Sequence, residues 1–283
     1  MQGGRALMER AVLLATVPTG GVPEGYERVY LGNEFCERNL PTPEELTRGL
    51  DAAKDASVPL TLVTPYLTDI GLSKVRKLMD VLPSGSEVVF NDWGLLASLK
   101  DYVPIMGRIL TYQRRGPRLI NVIERLPEEA QAYLRDSPLS QESYRQFLNE
   151  RGISRAEFDN PLQGIGFSLS EDEAPLKGSI YTPWVYVTTT RLCLSRACTK
   201  PEARDELGIL PCERECQDMA FTLTHKSMPI PLLLRGNTVF YRNEKLPRDL
   251  EDRGFDRMVV QPAPPPCASV AEGRKGFPKG IED

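Results

Sequence analysis

Histidine is nearly absent: the 283-residue chain contains one, His225. A zinc centre built on two or three imidazoles is therefore excluded, and any Ser-His or Cys-His nucleophile would have to use that single residue. Long apolar runs are missing too. No stretch approaches the ~20 consecutive apolar residues that span a bilayer. The short run Ala11 to Val17, preceded by Arg5 and Arg10, lacks a small-x-small cleavage site. It passes straight into a Pro/Gly turn, as a buried strand does and a secretory signal does not. Positive charge is not in excess, with 35 Lys and Arg against 39 Asp and Glu and a net charge of −4. That balance argues against wholesale coating of nucleic acid, although a local basic patch stays open. The expected location is the cytoplasm, with no membrane span.

What remains is a globular composition, 41% hydrophobic and 26% charged, long enough for one large domain. The first half alternates short apolar runs with amphipathic stretches. Strands are expected at Ala11 to Val17, Arg28 to Leu31, Leu60 to Thr64, Glu87 to Asn91 and Pro104 to Leu110. Between them, Thr42-Pro-Glu-Glu45 reads as a capping box that starts a helix from Pro43 to about Ser57. A second helix is expected near Leu72 to Val81, and a third from Trp93 to Lys100 capped by Asn91-Asp92. From 119 to 152 the pattern becomes a helical insertion. Strand-like runs return at Glu157 to Asn160, Trp184 to Thr190, Leu232 to Tyr241 and Arg257 to Gln261. The expectation is an α/β fold, a TIM-barrel-like (β/α) barrel that is closed or incomplete. The domain is read as 1–262, with a cysteine-rich segment at 191–219 and a flexible Pro/Gly-rich tail at 263–283.

Six cysteines in a reducing compartment suggest metal ligation or inert burial rather than disulfides. Four of them cluster: Cys193, Cys198, Cys212 and Cys216. Cys212 and Cys216 lie four apart, which on a helix puts both sulfurs on one face. Zinc knuckles usually have a two-residue gap, so the three-residue gap favours an iron–sulfur cluster. Cys36 is the natural distant donor, because it lies just past the strand Val29-Tyr-Leu-Gly32, where barrel loops converge.

Several stretches together resemble the collagenase-like peptidase family U-32, and most of all its UbiV-type iron–sulfur branch. They are Val29-Tyr-Leu-Gly-Asn-Glu-Phe-Cys36, Asn91-Asp-Trp-Gly94, Gly107-Arg-Ile-Leu110, Gln113-Arg-Arg-Gly-Pro-Arg118, Thr190-Arg-Leu-Cys193, Cys212-x-x-x-Cys216 and Leu234-Arg-Gly-Asn-Thr-Val-Phe-Tyr241. The resemblance implies a barrel holding an oxygen-sensitive [4Fe-4S] cluster through Cys36, Cys193, Cys212 and Cys216. Cys198 is a departure that competes with Cys193 for the second ligand position. The resemblance further implies an oxygen-independent hydroxylation or modification factor working on an aromatic or nucleobase-like small molecule or RNA, paired with a paralogous partner. Two other readings stand beside it: a collagenase-like peptidase, and a non-catalytic scaffold stabilised by its cluster.

No catalytic residue is assigned. For substrate binding the candidates are Arg108 and Arg114, as guanidinium forks for a carboxylate or phosphate, and Asn91 and Asp92 at a strand end. A helix cap accounts for the last two equally well. Tyr181, Trp184 and Tyr186 read as core aromatics or as an aromatic wall. His225 reads as a surface residue.

Overall fold

In the computed structural model, residues 8–170, 173–193, 195–196 and 212–264 are described. The capping box forms as its sequence dictates: the Thr42 side chain accepts from the Glu45 N–H, and Glu45 returns to the Thr42 N–H. It starts helix α1 (Pro43–Asp55), which turns Leu46, Gly49 and Ala53 inward. Helix α2 (Asp69–Met79) is capped by Thr68 and buries Val75 and Leu78. These faces cover the outside of a sheet.

That sheet is a closed barrel of eight parallel strands. In chain order they are β1 (Glu9–Leu14), β2 (Arg28–Gly32), β3 (Leu60–Val63), β4 (Glu87–Phe90), β5 (Val103–Met106), β6 (Arg155–Asp159), β7 (Lys177–Thr182) and β12 (Phe255–Val260). Neighbours in sequence are neighbours in space, and β12 closes the ring onto β1. The barrel is closed rather than incomplete. Alternation does the sorting. Ala11, Leu13, Tyr30, Val63, Val89, Ile105, Tyr181 and Val259 meet in one inner cluster, whereas Val12, Leu31, Leu62, Val88 and Phe158 pack outward against the helices.

Between β7 and β12 the chain builds a second, four-stranded antiparallel sheet, which sequence patterning did not anticipate. It consists of β8 (Trp184–Thr189), β9 (Phe221–Leu223), β10 (Leu232–Arg235) and β11 (Thr238–Arg242). The run Trp184 to Thr190 is therefore a strand outside the barrel, and the missed run Lys177–Thr182 takes the barrel position. Leu232 to Tyr241 is two strands, because Gly236 takes φ +63° and turns the chain with Asn237 into a hairpin.

The helical insertion is broken into shorter pieces than expected. It consists of helices α3 (Glu128–Leu134) and α4 (Glu142–Asn149) with 3₁₀ turns at Pro117–Asn121, Ile123–Arg125 and Pro138–Ser140. Trp93–Ser98 is likewise 3₁₀, and the strand expected to reach Leu110 stops at Met106. The tail from 265, with Cys267, lies outside the described residues, as does Cys198.

Among the described residues no helix is long and apolar enough to cross a membrane.

Candidate metal centre at the barrel mouth

The C-terminal ends of barrel strands are where the loops of this fold usually do chemistry. Here the middle of that mouth is filled. Arg108, 0% exposed, follows β5 and spends all five of its N–H groups internally. Its Nε and Nη2 bind the two oxygens of Glu34 at 2.9 and 2.6 Å. Its Nη1 donates to Asp159 Oδ1 at 2.8 Å and to the Trp184 carbonyl at 3.0 Å. Gln261, with its amide oriented to satisfy both neighbours, accepts the last donor at 2.8 Å.

The Arg108 guanidinium lies 4.2 Å above the Tyr181 ring and 5.3 Å from Phe35. Burial alone would lower its pKa, but Glu34 and Asp159 raise it, so the charge is retained. Arg115 adds a second buried pair to Asp159, and the N–H of Tyr186 on β8 donates to Asp159 Oδ1 at 3.3 Å. The network pins the antiparallel sheet over the bore. It places Arg108 inside the protein rather than on a solvent-facing rim, and it uses Tyr181 and Tyr186 as core packing.

The other substrate-binding candidates are also occupied. Asp92 accepts from the Leu67 N–H at 2.9 Å and caps Gly94 at 2.8 Å. Asn91, buried, donates to the Thr64 carbonyl at 2.9 Å and accepts from the Ile109 N–H at 3.2 Å. The guanidinium of Arg114, half-buried, stacks 3.7 Å from the Tyr133 ring. None of the four lines the cysteine cavity described next.

To one side of the plug, the loops after β2 and β8, the segment before β9 and the β10–β11 turn enclose a cavity of about 90 Å³. Cys36, Cys193, Cys212 and Cys216 all line it, and all four are free thiols. The chain reaches this arrangement by local rules. Gly32 ends β2 with φ +135°, and a Cβ there would lie 2.2 Å from the Val63 carbonyl oxygen, so only glycine permits the exit. Asn33 then accepts the N–H groups of Phe35 and Cys36 at 2.9 and 2.7 Å, an Asx turn that aims Cys36.

The expected helix carrying Cys212 and Cys216 is not formed. Arg214 sits in the left-handed region at φ 62°, and only Glu215–Gln217 make a single 3₁₀ turn. The two sulfurs meet through this tight loop instead.

Each sulfur faces at least one N–H donor. Cys36 faces the main-chain N–H groups of Arg38 and Asn39, and Cys193 those of Ser195 and Arg196. The Cys212 sulfur accepts from the Arg214 N–H at 3.4 Å, and the Cys216 sulfur from the Asn39 side chain at 3.6 Å. Burial pushes the thiols of Cys36 and Cys193 up and that of Cys216 to about 11, the facing sulfurs adding to the shift. Thiols in that state are poor nucleophiles.

One turn gathers three cysteine-bearing segments, a role that sequence reading missed. Arg235 donates to the Cys216 and Gln217 carbonyls at 2.8 and 2.6 Å. The Gly236 carbonyl accepts the Ser195 hydroxyl at 3.2 Å. Asn237 donates to the Phe35 and Thr190 carbonyls, each at 2.7 Å. The available signal was Gly236-Asn237 itself, a hairpin dipeptide inside an apolar run.

As the side chains stand, no three His, Cys, Asp or Glu among the described residues close on a single metal ion. His225 is exposed and bonds Ser227 within its own turn at 2.8 Å. A wider cleft of about 710 Å³ opens at the opposite end of the barrel beside Arg155, Lys177 and Asp256. These three charges pair with each other, Arg155 and Lys177 lying 2.6 and 3.4 Å from Asp256. That end of a barrel ordinarily carries stability rather than chemistry.

No family model matches the chain, and no curated protein matches it. Among solved structures it is similar to one described as the U32 peptidase Mk0906, with 12% identity, 93% of this chain and 96% of that chain covered, and a TM-score of 0.44.

Proposed function

We propose that the protein is an iron–sulfur protein in which Cys36, Cys193, Cys212 and Cys216 hold a [4Fe-4S] cluster. The observation that carries this reading is the convergence of four sulfurs from segments far apart in sequence on one cavity, each met by an N–H donor. Thiolates bound to iron keep negative charge, and hydrogen bonds to them are part of how a protein sets a cluster's properties. A lone zinc with Zn–S bonds of about 2.3 Å would draw its sulfurs to within roughly 4 Å of one another. Sulfurs arranged around a cavity rather than closed on a point suit a larger inorganic core.

The chemistry such a group supplies is one-electron transfer. Four thiolates on four irons leave no iron open to substrate. The chain's own part is to supply four deprotonated sulfurs, to hold them with the Arg235-Gly236-Asn237 turn, and to shield them from water. The Arg108 plug keeps substrate out of the bore, so a substrate would meet the protein around the cysteine cavity. In this reading the protein serves oxygen-independent hydroxylation or modification of an aromatic or nucleobase-like molecule in the cytoplasm, alongside a paralogous partner.

The test is the absorption and EPR spectrum, with iron and sulfide counts, of protein purified without oxygen. About four irons and four sulfides per chain support the reading, and an iron-free, colourless protein contradicts it. The sealed mouth favours one second reading, a scaffold that needs its cluster only to fold. There, charge-reversing substitutions around the cavity would leave cellular function intact, whereas Cys212→Ala would abolish folding. Peptidase activity would survive iron chelation.

A further inference from the structure

Asn39 stands apart from the other donors around the cysteine cavity. Its side chain is buried, and its Nδ2 lies 3.6 Å from the Cys216 sulfur, the donor and acceptor being 177 positions apart. The main-chain N–H of the same residue faces the Cys36 sulfur and donates to the Cys36 carbonyl at 3.1 Å. One residue thus touches the earliest cysteine of the site with its backbone and the last with its side chain. Its Oδ1 is buried without a partner, so the amide is oriented by its donor end. The donors at Cys36, Cys193 and Cys212 come from the backbone and are supplied by any residue type but proline. The donor at Cys216 exists only because position 39 is asparagine.

We infer that the Asn39 carboxamide tunes the reduction potential of the cluster through its N–H···S bond to Cys216; this rests on the cluster reading above. Adding one electron raises the negative charge on the cysteine sulfurs. A hydrogen bond to sulfur therefore stabilises the reduced form more than the oxidised form and raises the potential. The geometry assigns no covalent role to Asn39, and in the titration the electron comes from a low-potential chemical reductant such as dithionite.

The experiment is an anaerobic redox titration, followed by EPR, of full-length wild type, Asn39→Leu and Asn39→Asp, each with iron and sulfide counted. Leucine removes the donor at similar volume, and aspartate removes it while adding an acceptor. Both variants are expected to keep wild-type iron and sulfide. Asn39→Leu is expected to shift the one-electron equilibrium about tenfold toward the oxidised form, which is 59 mV more negative. Asn39→Asp is expected to shift it further in the same direction. An unchanged potential in a fully loaded Asn39→Leu protein overturns the inference. So does loss of iron from both variants with the circular dichroism of the fold intact, since that would make Asn39 a structural support. Wild-type protein without iron and sulfide instead removes the cluster reading itself, a result distinct from either.

Discussion

Asn237 in the β10–β11 turn donates to the carbonyl of Phe35, the residue before Cys36, across 202 positions of sequence. The same amide holds the Thr190 carbonyl and lies 2.9 Å from the Tyr66 hydroxyl. The loops bearing the first and second cysteines are thus tied through one side chain. Asn237→Leu leaves the partly buried Phe35 carbonyl without this donor, at a cost of about 1–3 kcal/mol, whereas the exposed Thr190 carbonyl keeps the Tyr66 hydroxyl. The expected outcome is protein that folds with a lowered Tm and retains less than half the wild-type iron after desalting. Wild-type iron retention would mean that the turn does not organise the site.

Arg108 tests whether the barrel mouth is a binding pocket or a plug. Removing one partner of a buried pair costs about 3–5 kcal/mol, because the charge left behind is uncompensated. Arg108→Met leaves Glu34 buried without its guanidinium, so urea denaturation is expected to show a loss of that size. A variant with wild-type stability and lost cellular function would restore Arg108 as a substrate-binding residue.

Glu157 sits at the centre of the barrel, accepts from the Tyr30 hydroxyl at 3.0 Å, and leaves its second oxygen without a partner. Burial pushes its pKa up to about 7, outweighing the pull of Arg257 and Arg155. The folded state therefore binds this proton more tightly than the unfolded chain, whose glutamate titrates near 4.3. By linkage the contribution is full below about pH 4.3, is lost as pH rises toward 7, and levels off above it, for about 4 kcal/mol in all. Glu157→Gln has no such proton to lose. The stability of the variant relative to wild type is expected to rise across that window, and a flat difference from pH 4 to 8 would refute the assignment.

Gly32 links the barrel to the site. With a Cβ meeting the Val63 carbonyl oxygen at 2.2 Å and φ at +135°, Gly32→Ala is expected to cost more than about 4 kcal/mol. Soluble protein of wild-type Tm would contradict this exit from β2.

How much of this was legible in the sequence follows from what each signal encodes. Strand-helix alternation and the Thr42 capping box are local, and they placed seven of the eight barrel strands and α1 correctly. Lys177–Thr182 escaped because Gly178, Ser179 and Thr182 give it little apolar weight, although Ile180 and Tyr181 are fully buried. Which of the later strands leave the barrel was not legible. The pattern of Trp184–Thr189 says strand, and only packing decides that the strand leaves the barrel. At the site, spacing pointed to Cys212 and Cys216 and a strand end to Cys36, while Cys193 came with the family resemblance; the reason the four line one cavity was not legible. It lies in carbonyl contacts of Arg235 and Asn237, which leave no periodic trace. Arg108 was recognisable as an arginine in an apolar run, but its partners Glu34 and Asp159 come from other strand ends that no local pattern connects to it.

That sulfurs remote in sequence jointly hold one cluster is tested most directly by the iron and sulfide content of single cysteine variants prepared without oxygen. Cys36→Ala, far from the other ligands along the chain, is expected to lose most of its iron together with the visible absorption of the wild type, while Cys198→Ala keeps both. Full iron and sulfide in Cys36→Ala would contradict the account.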